Sequence, residues 1–92
     1  MKENLAELEK NLKNAEVLFQ NGQHDEAVKL FQSLADEGFA TAQYILGVCY
    51  CNGVGLPKDD VKASELFLKA AGQGNADAQY ELGVFSQLGV AG

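Results

Sequence analysis

Apolar residues near the start of the chain recur three and four residues apart. They are Leu5, Leu8, Leu12, Ala15 and Phe19, a spacing that places side chains on one face of an α-helix. The same spacing continues along the chain and is interrupted at glycine and proline residues. It predicts five helices, over about residues 4–20, 24–37, 40–52, 60–73 and 76–88. No segment alternates apolar and polar residues as a strand does, so the predicted fold class is all-α with short antiparallel connections.

Polar residues stand where three of these helices should begin. Asn4 with Glu7 resembles a capping box, in which two side chains pair with the free N–H groups of the first turn. Asp59 and Asn75 directly precede the fourth and fifth helices. Their side-chain oxygens are suited to accept backbone N–H groups there, so we expect both residues to be N-caps.

The chain repeats itself with a period of 36 residues. Residues 40–48 (ATAQYILGV) and 76–84 (ADAQYELGV) are identical at seven of nine positions. The apolar face of the second helix and the glycine after it also recur: Ala27, Leu30, Phe31, Ala35 and Gly38 return as Ala63, Leu66, Phe67, Ala71 and Gly74. A period of roughly 20–50 residues is typical of stacked supersecondary units. We therefore expect an extended stack whose surface holds partners.

The repeated residues resemble a known family. From Ala40 to Gly55 the pattern A-x-A-Q-Y-x-L-G-x-x-Y-x-x-G-x-G is similar to the first helix and loop of the Sel1-like repeat. Lys58-Asp59, Lys62-Ala63, Lys69-Ala70-Ala71 and Gly74-Asn75-Ala76 resemble the rest of that unit. The first unit has a shorter loop between its helices and looks more like a tetratricopeptide repeat.

The resemblance implies a right-handed α-solenoid of antiparallel helix pairs, with about 2.5 repeats in five helices. We expect a single repeat domain over residues 1–92: a tetratricopeptide-like pair at 1–38, a Sel1-like repeat at 39–74, and a half repeat with its first helix only at 75–92. Such proteins serve as scaffolds or adaptors for other proteins. The implied function is binding of a peptide or partner protein on the concave face.

The first, third and fifth helices should line that concave face, as first helices do in this family. The outward positions expected to bind a partner are Asn14, Asn21, Thr41, Gln43, Val48, Asn52 and Gln79. Their amides and hydroxyls are suited to the backbone of an extended or helical peptide. Because so few repeats offer little contact area, we expect micromolar affinity.

The fifth helix carries three apolar residues, Leu82, Phe85 and Leu88, with no helix after it to cover them. A terminal unit of a solenoid normally has a polar outer face. Either these side chains fold back on the fourth helix alone, or they contact another subunit. The second alternative predicts a self-assembly module that forms a homodimer through this helix.

Charge and composition narrow the range of partners. The net charge is −6, and all seven basic residues are lysine. A chain without arginine lacks the planar group that binds phosphate and guanine edges bidentately, so nucleic acid is a poor candidate. The N-terminal sequence is too polar for a signal peptide, and no apolar run approaches the ~20 residues of a membrane span. We expect a cytoplasmic protein with reduced cysteines and no membrane insertion.

No arrangement of residues indicates catalysis, a cofactor or a metal. His24 is the only histidine, and we expect it either to pack at the start of the second helix or to lie in solvent, with no catalytic or metal-binding role. Cys49 should face the core and Cys51 should face outward. Gly53-x-Gly55 lacks the rest of a phosphate-binding motif and predicts a chain reversal. A hydrolase is the remote alternative, because no general base, nucleophile and orienting group can be named together.

Overall fold

The computed structural model describes residues 5–88, with side chains described for residues 6–84. Within that range the chain forms five α-helices and no strand: α1 (Leu5–Gln20), α2 (His24–Asp36), α3 (Ala40–Asn52), α4 (Asp60–Gly72) and α5 (Ala76–Leu88). Each helix boundary lies within one residue of its predicted place. The capping box expected at Asn4 lies outside the described residues. None of the described helices combines the length and apolar character needed to cross a bilayer.

Two helices begin at the caps predicted for them. Asp59 Oδ1 accepts a hydrogen bond from the Lys62 backbone N–H at 3.1 Å. Asn75 Oδ1 accepts one from the Ala78 N–H at 2.8 Å. These bonds satisfy N–H groups that have no partner within the first turn of a helix, which confirms both residues as N-caps.

The two helices that end in the repeated glycine stop in the same way. Gly38 and Gly74 both have a φ of +93°, which favours glycine. The Gly38 N–H donates to the Ala35 carbonyl at 2.9 Å, and the Gly74 N–H donates to the Ala71 carbonyl at 2.9 Å. The 36-residue period of the sequence is therefore a period of local geometry as well.

Each helix packs mainly against its neighbours in the chain, so the helices form a stack. One buried cluster, which includes Ala15, Phe31 and Leu46, joins α1, α2 and α3. A second cluster, which includes Phe67 and Ala78, joins α3, α4 and α5. Because α3 contributes to both clusters, the core continues from one helix pair to the next. This confirms the all-α solenoid.

The loops between paired helices differ in length, as the sequence indicates. Residues 21–23 join α1 to α2, and residues 53–59 join α3 to α4. The longer loop folds over α2: a Cβ atom on Gly55 would lie 2.7 Å from Val28 Cγ2. Gly53 and Gly55 both have positive φ angles, which confirms a chain reversal.

Candidate protein-interaction surfaces

The glutamine of the repeated A-Q-Y motif has a structural role in both units. Gln43 is only 5% exposed, and its Nε2 donates to the Ala35 carbonyl at 3.3 Å. In the next unit Gln79 Nε2 donates to the Ala71 carbonyl at 3.2 Å, although Gln79 is exposed. The expectation that Gln43 faces outward is wrong, because its amide pairs with a carbonyl of the last turn of the preceding helix.

A second glutamine connects the ends of two helices through Gln43. Gln73 Nε2 donates to Gln43 Oε1 at 3.0 Å and to the Gly38 carbonyl at 2.8 Å. These bonds join the end of α4 to the end of α2 and to α3. Sequence reasoning missed Gln73, which lies 30 residues from Gln43 in the chain.

The other predicted partner-binding residues differ in how far they are exposed. Asn14, Asn21 and Asn52 are exposed, whereas Thr41 is partly buried. Val48 is partly buried and packs against the second core cluster. None of them lines either of the cavities described next. Their contact with a partner stays a prediction.

An apolar cavity of about 150 Å³ lies between α1 and α3. Its floor includes Phe19 and Phe31, whose ring centroids are 6.4 Å apart. Ile45 forms the α3 side, and Glu16 and Gln20 of α1 complete the lining. The site therefore combines an apolar floor with a polar, acidic rim. Sequence reasoning assigned Phe19 to the buried face of α1 and did not predict that it also lines an opening.

A larger groove of about 400 Å³ lies between α2 and α4, with α3 beneath it. Leu66 lines it with a partly exposed apolar side chain, and the buried Leu46 lies at its base. Lys62 Nζ lies 5.7 Å from the centroid of the Tyr50 ring, within cation–π range. The charged residues that line this groove are Asp36, Glu65, Lys62 and Lys69. The groove thus presents both signs of charge around an apolar base.

The cysteines do not behave as activated nucleophiles. Cys49 is 1% exposed, which confirms its place in the core, and burial raises its pKa to about 11. Cys51 is partly buried and packs against the second cluster, so the expectation that it faces outward is wrong. Burial is the largest cause that raises the pKa of Cys51 as well, and the negative charge of Asp60 is the second cause. A reactive cysteine needs a lowered pKa, and both thiols are shifted the other way.

His24 packs as predicted. Its ring centroid lies 4.6 Å from that of Phe19, at the start of α2. Among the described residues, no three histidine, cysteine or acidic side chains come together as metal ligands would.

The C-terminal trio is only partly described. Leu82 packs against the second core cluster, beside α4. Leu82 therefore follows the first of the two alternatives and folds back on α4, because α5 packs on α4 much as α3 packs on α2. The side chains of Phe85 and Leu88 lie outside the described residues. Homodimerisation through this trio stays a prediction.

The opposite side of α5 is the exposed one. Tyr80 is 72% exposed, and a Cβ atom on Gly83 would have no neighbour within 4 Å. Burial is the largest cause that raises the pKa of the Tyr44 hydroxyl on α3. The negative charges of Glu81 and Asp77 on α5 raise this pKa further.

Comparison with known proteins places these features in a family. The model of the Sel1 repeat matches residues 9–39, 40–75 and 76–92. No curated protein matches the chain.

The solved structures that resemble it include the following two. The chain is 34% identical to a Sel1 repeat protein from Oxalobacter formigenes, over 73% of this chain and 28% of that one, with a TM-score of 0.71. It is 29% identical to c5321, a protective antigen present in uropathogenic Escherichia coli strains that displays an SLR fold, over 98% of this chain and 22% of that one, with a TM-score of 0.71. The chain spans less than a third of the length of either protein.

Proposed function

Because this chain belongs to the Sel1 repeat family, matched over residues 9–39, 40–75 and 76–92, we propose that it is a protein-interaction module whose α1–α3 cavity receives an apolar side chain of a partner peptide. Sel1 repeat proteins are generally protein-interaction scaffolds and typically not enzymes. The proposed site lies on the helices expected to form the concave face.

The observation that carries the proposal is the apolar cavity lined by Phe19, Phe31 and Ile45. Its volume of about 150 Å³ is close to that of cavities that admit a benzene-sized group. One apolar side chain of a peptide therefore fits. Aromatic side chains at the floor of a pocket are frequent anchors of binding energy, because they bury a large area with few rotatable bonds.

The rim sets the orientation and charge of the partner. Glu16 and Gln20 can pair with a basic side chain and with backbone amides next to the inserted residue. The net charge of −6 adds a long-range preference for basic partners. We expect an extended peptide with an apolar residue beside a lysine or arginine, bound with micromolar affinity because a single pocket buries little area.

Selection of peptides from a random library tests the proposal. Sequences enriched on the wild-type chain should bind Ile45→Glu at least ten times more weakly, since the new carboxylate projects into the apolar cavity. Glu16→Lys should weaken the same peptides less, through the rim alone.

Val17→Glu provides the matched control. Val17 is 51% exposed on α1 and does not line the cavity, so the same new charge there should leave binding unchanged. Thermal unfolding of each variant shows that it is folded. If Ile45→Glu and Val17→Glu bound the selected peptides with equal affinity, the cavity would not be the binding site.

The groove between α2 and α4 is a second candidate site for peptide binding, because it is larger than the α1–α3 cavity. At about 400 Å³ it admits more than one side chain, and its rim offers both lysines and carboxylates. Glu65→Lys tests it, because Lys29 occupies the equivalent position in the preceding unit and a lysine is therefore tolerated there. Peptides that bind this groove should respond to Glu65→Lys and not to Ile45→Glu.

A further inference from the structure

The α4 wall of the α2–α4 groove is basic. Lys62 and Lys69 line it with exposed side chains, and neither forms an ion pair with a carboxylate of the described residues. Glu65 lies between them, so the wall keeps a net positive charge. The equivalent positions of α2 hold Glu26 and Ser33. The two lysines are therefore particular to this groove and do not belong to the pattern that repeats along the chain.

The α2 wall carries the opposite charge. Asp36 lines it, and its Oδ1 accepts a hydrogen bond from Gln32 Nε2 at 3.3 Å. Because Gln73 Nε2 donates to the Gly38 carbonyl, α2 and α4 end side by side, and Asp36 stands at the same end of the groove as Lys69. A carboxylate at the end of a helix meets the partial negative charge of that end. A cation of a partner would therefore be stabilised beside Asp36.

The base between the two walls is apolar. Leu66 is partly exposed there, and the buried Leu46 lies at the base. The ring of Tyr50 also lines the groove, with Lys62 Nζ at 5.7 Å from its centroid. A complementary ligand thus has an apolar centre, an acidic side towards α4, and a neutral or basic side towards α2.

We propose that the α2–α4 groove binds an acidic amphipathic α-helix of a partner protein, with its carboxylates towards Lys62 and Lys69 and an apolar side chain on Leu66. The inference rests on the proposed role as a protein-interaction module, and it does not involve the α1–α3 cavity. The volume of about 400 Å³ admits more than one side chain of such a helix. Packing of an amphipathic helix into an apolar groove is a common mode of peptide recognition.

The spacing of the two lysines favours a helix over an extended peptide. Lys62 and Lys69 are seven residues apart on one helix, so their Cα atoms are separated by about 10.5 Å. Two residues seven apart on a partner helix have the same separation and share one face. About three residues of an extended peptide span this distance, but residues three apart on a strand point to opposite faces.

The net charge of −6 does not oppose an acidic partner at this place. At physiological ionic strength, charges more than about 8 Å apart in solvent are largely screened from each other. The two exposed lysines of the groove therefore determine the local preference.

The probe is an alanine-rich helical peptide with two glutamates seven residues apart and leucines four and eight residues after the first glutamate. The leucines then lie beside the acidic stripe. Labelled with fluorescein and titrated with the full chain, the peptide should bind saturably with micromolar affinity, as measured by fluorescence anisotropy. A peptide with glutamine in place of both glutamates should bind about five times more weakly, because two exposed charge pairs are lost.

Charge reversal in the protein shows which residues the peptide contacts. Lys69→Glu should weaken binding of the glutamate peptide about fivefold, and Lys62→Glu with Lys69→Glu should bind a peptide with two lysines more tightly than the glutamate peptide. Glu65→Lys should strengthen binding of the glutamate peptide about twofold, because it adds a third lysine to the wall. Thermal unfolding shows that each variant is folded.

Lys13→Glu is the matched control. Lys13 is exposed on α1 outside the groove, and its reversal changes the net charge by the same amount. This variant should retain full peptide binding. Equal weakening by Lys13→Glu and Lys69→Glu would overturn the inference, because the peptide would then respond to net charge alone. Loss of binding in Ile45→Glu would also overturn it, by placing the peptide in the α1–α3 cavity, and would leave the proposed function intact.

Two other occupants of the groove give different results. A probe with proline at its centre cannot form a continuous helix. If it bound as tightly as the glutamate peptide, the groove would hold an extended segment and the inference would be wrong. Sedimentation of the free chain should show a monomer at the concentrations used. A dimer that Lys69→Glu converts to a monomer would overturn the inference in favour of a second copy of the chain.

Discussion

Gly47→Ala should destabilise the fold, whereas Gly83→Ala should stabilise it, although the two residues occupy the same position of the repeat. The new methyl group at Gly47 meets Phe67 ring atoms at 2.7 and 2.9 Å, well inside van der Waals contact. The ring is 1% exposed and is surrounded by packed helices, so it has little room to move. Overpacking of this kind costs about 1–3 kcal/mol.

Helix propensity acts in the opposite direction at both positions. Replacing glycine by alanine inside a helix contributes about 0.5–1 kcal/mol of stability. We therefore expect a net loss of about 1–2 kcal/mol for Gly47→Ala and a gain of up to about 1 kcal/mol for Gly83→Ala. In a domain of this size, each kcal/mol shifts the unfolding midpoint by about 4–8 °C.

Urea and thermal unfolding followed by circular dichroism at 222 nm measure both changes. A third variant, Gly47→Ala with Phe67→Leu, should show a smaller penalty for the alanine, because the ring that it meets is gone. Equal stability of Gly47→Ala and the wild type would contradict this prediction. A penalty that persists unchanged in the Phe67→Leu background would contradict it as well.

Three further substitutions and one chemical reaction test other parts of the structure. Gln43→Ala should lower the free energy of unfolding by about 1–3 kcal/mol, because it removes a buried, hydrogen-bonded amide. Gln79→Ala should lower it by less than about 1 kcal/mol, because that amide is exposed. Asp59→Ala should lower the free energy of unfolding by about 1 kcal/mol, because it removes the N-cap of α4. Urea unfolding measures this change. Because the pKa of Cys49 is about 11, about 0.1% of this buried thiol is thiolate at pH 8. Iodoacetamide should therefore label Cys51 first and Cys49 only when the protein unfolds, and mass spectrometry would show the order.

Each of these has an outcome that contradicts it. Equal losses for the two glutamine variants would mean that burial of the Gln43 amide contributes nothing. An Asp59→Ala variant as stable as the wild type would mean that the cap bond is offset by solvent. Labelling of Cys49 as fast as Cys51 in the folded protein would place its thiol at the surface.

The helices could be predicted because their determinants are local. The spacing of Leu8, Leu12 and Ala15, and the caps at Asp59 and Asn75, depend on residues within one or two turns. Each of these features marks a helix face or a helix end without reference to the rest of the chain.

The interaction surfaces were harder to predict because they depend on helices that are distant in sequence. The cavity at Phe19 and Ile45 exists only because α1 and α3 lie side by side with Phe31 beneath them. The error at Gln43 has a different cause: a polar residue was assigned to the surface by its type. Its identity with Gln79 was the available signal, since the outward positions of the two units differ freely.

A nuclear magnetic resonance titration would show whether a peptide binds in the cavity between α1 and α3. At 9.9 kDa the chain is small enough for complete backbone and methyl assignment. When a library-selected peptide is added, we expect the largest shifts and the intermolecular contacts at Phe19, Phe31 and Ile45. Contacts confined to Lys62 and Lys69 in the α2–α4 groove would contradict it.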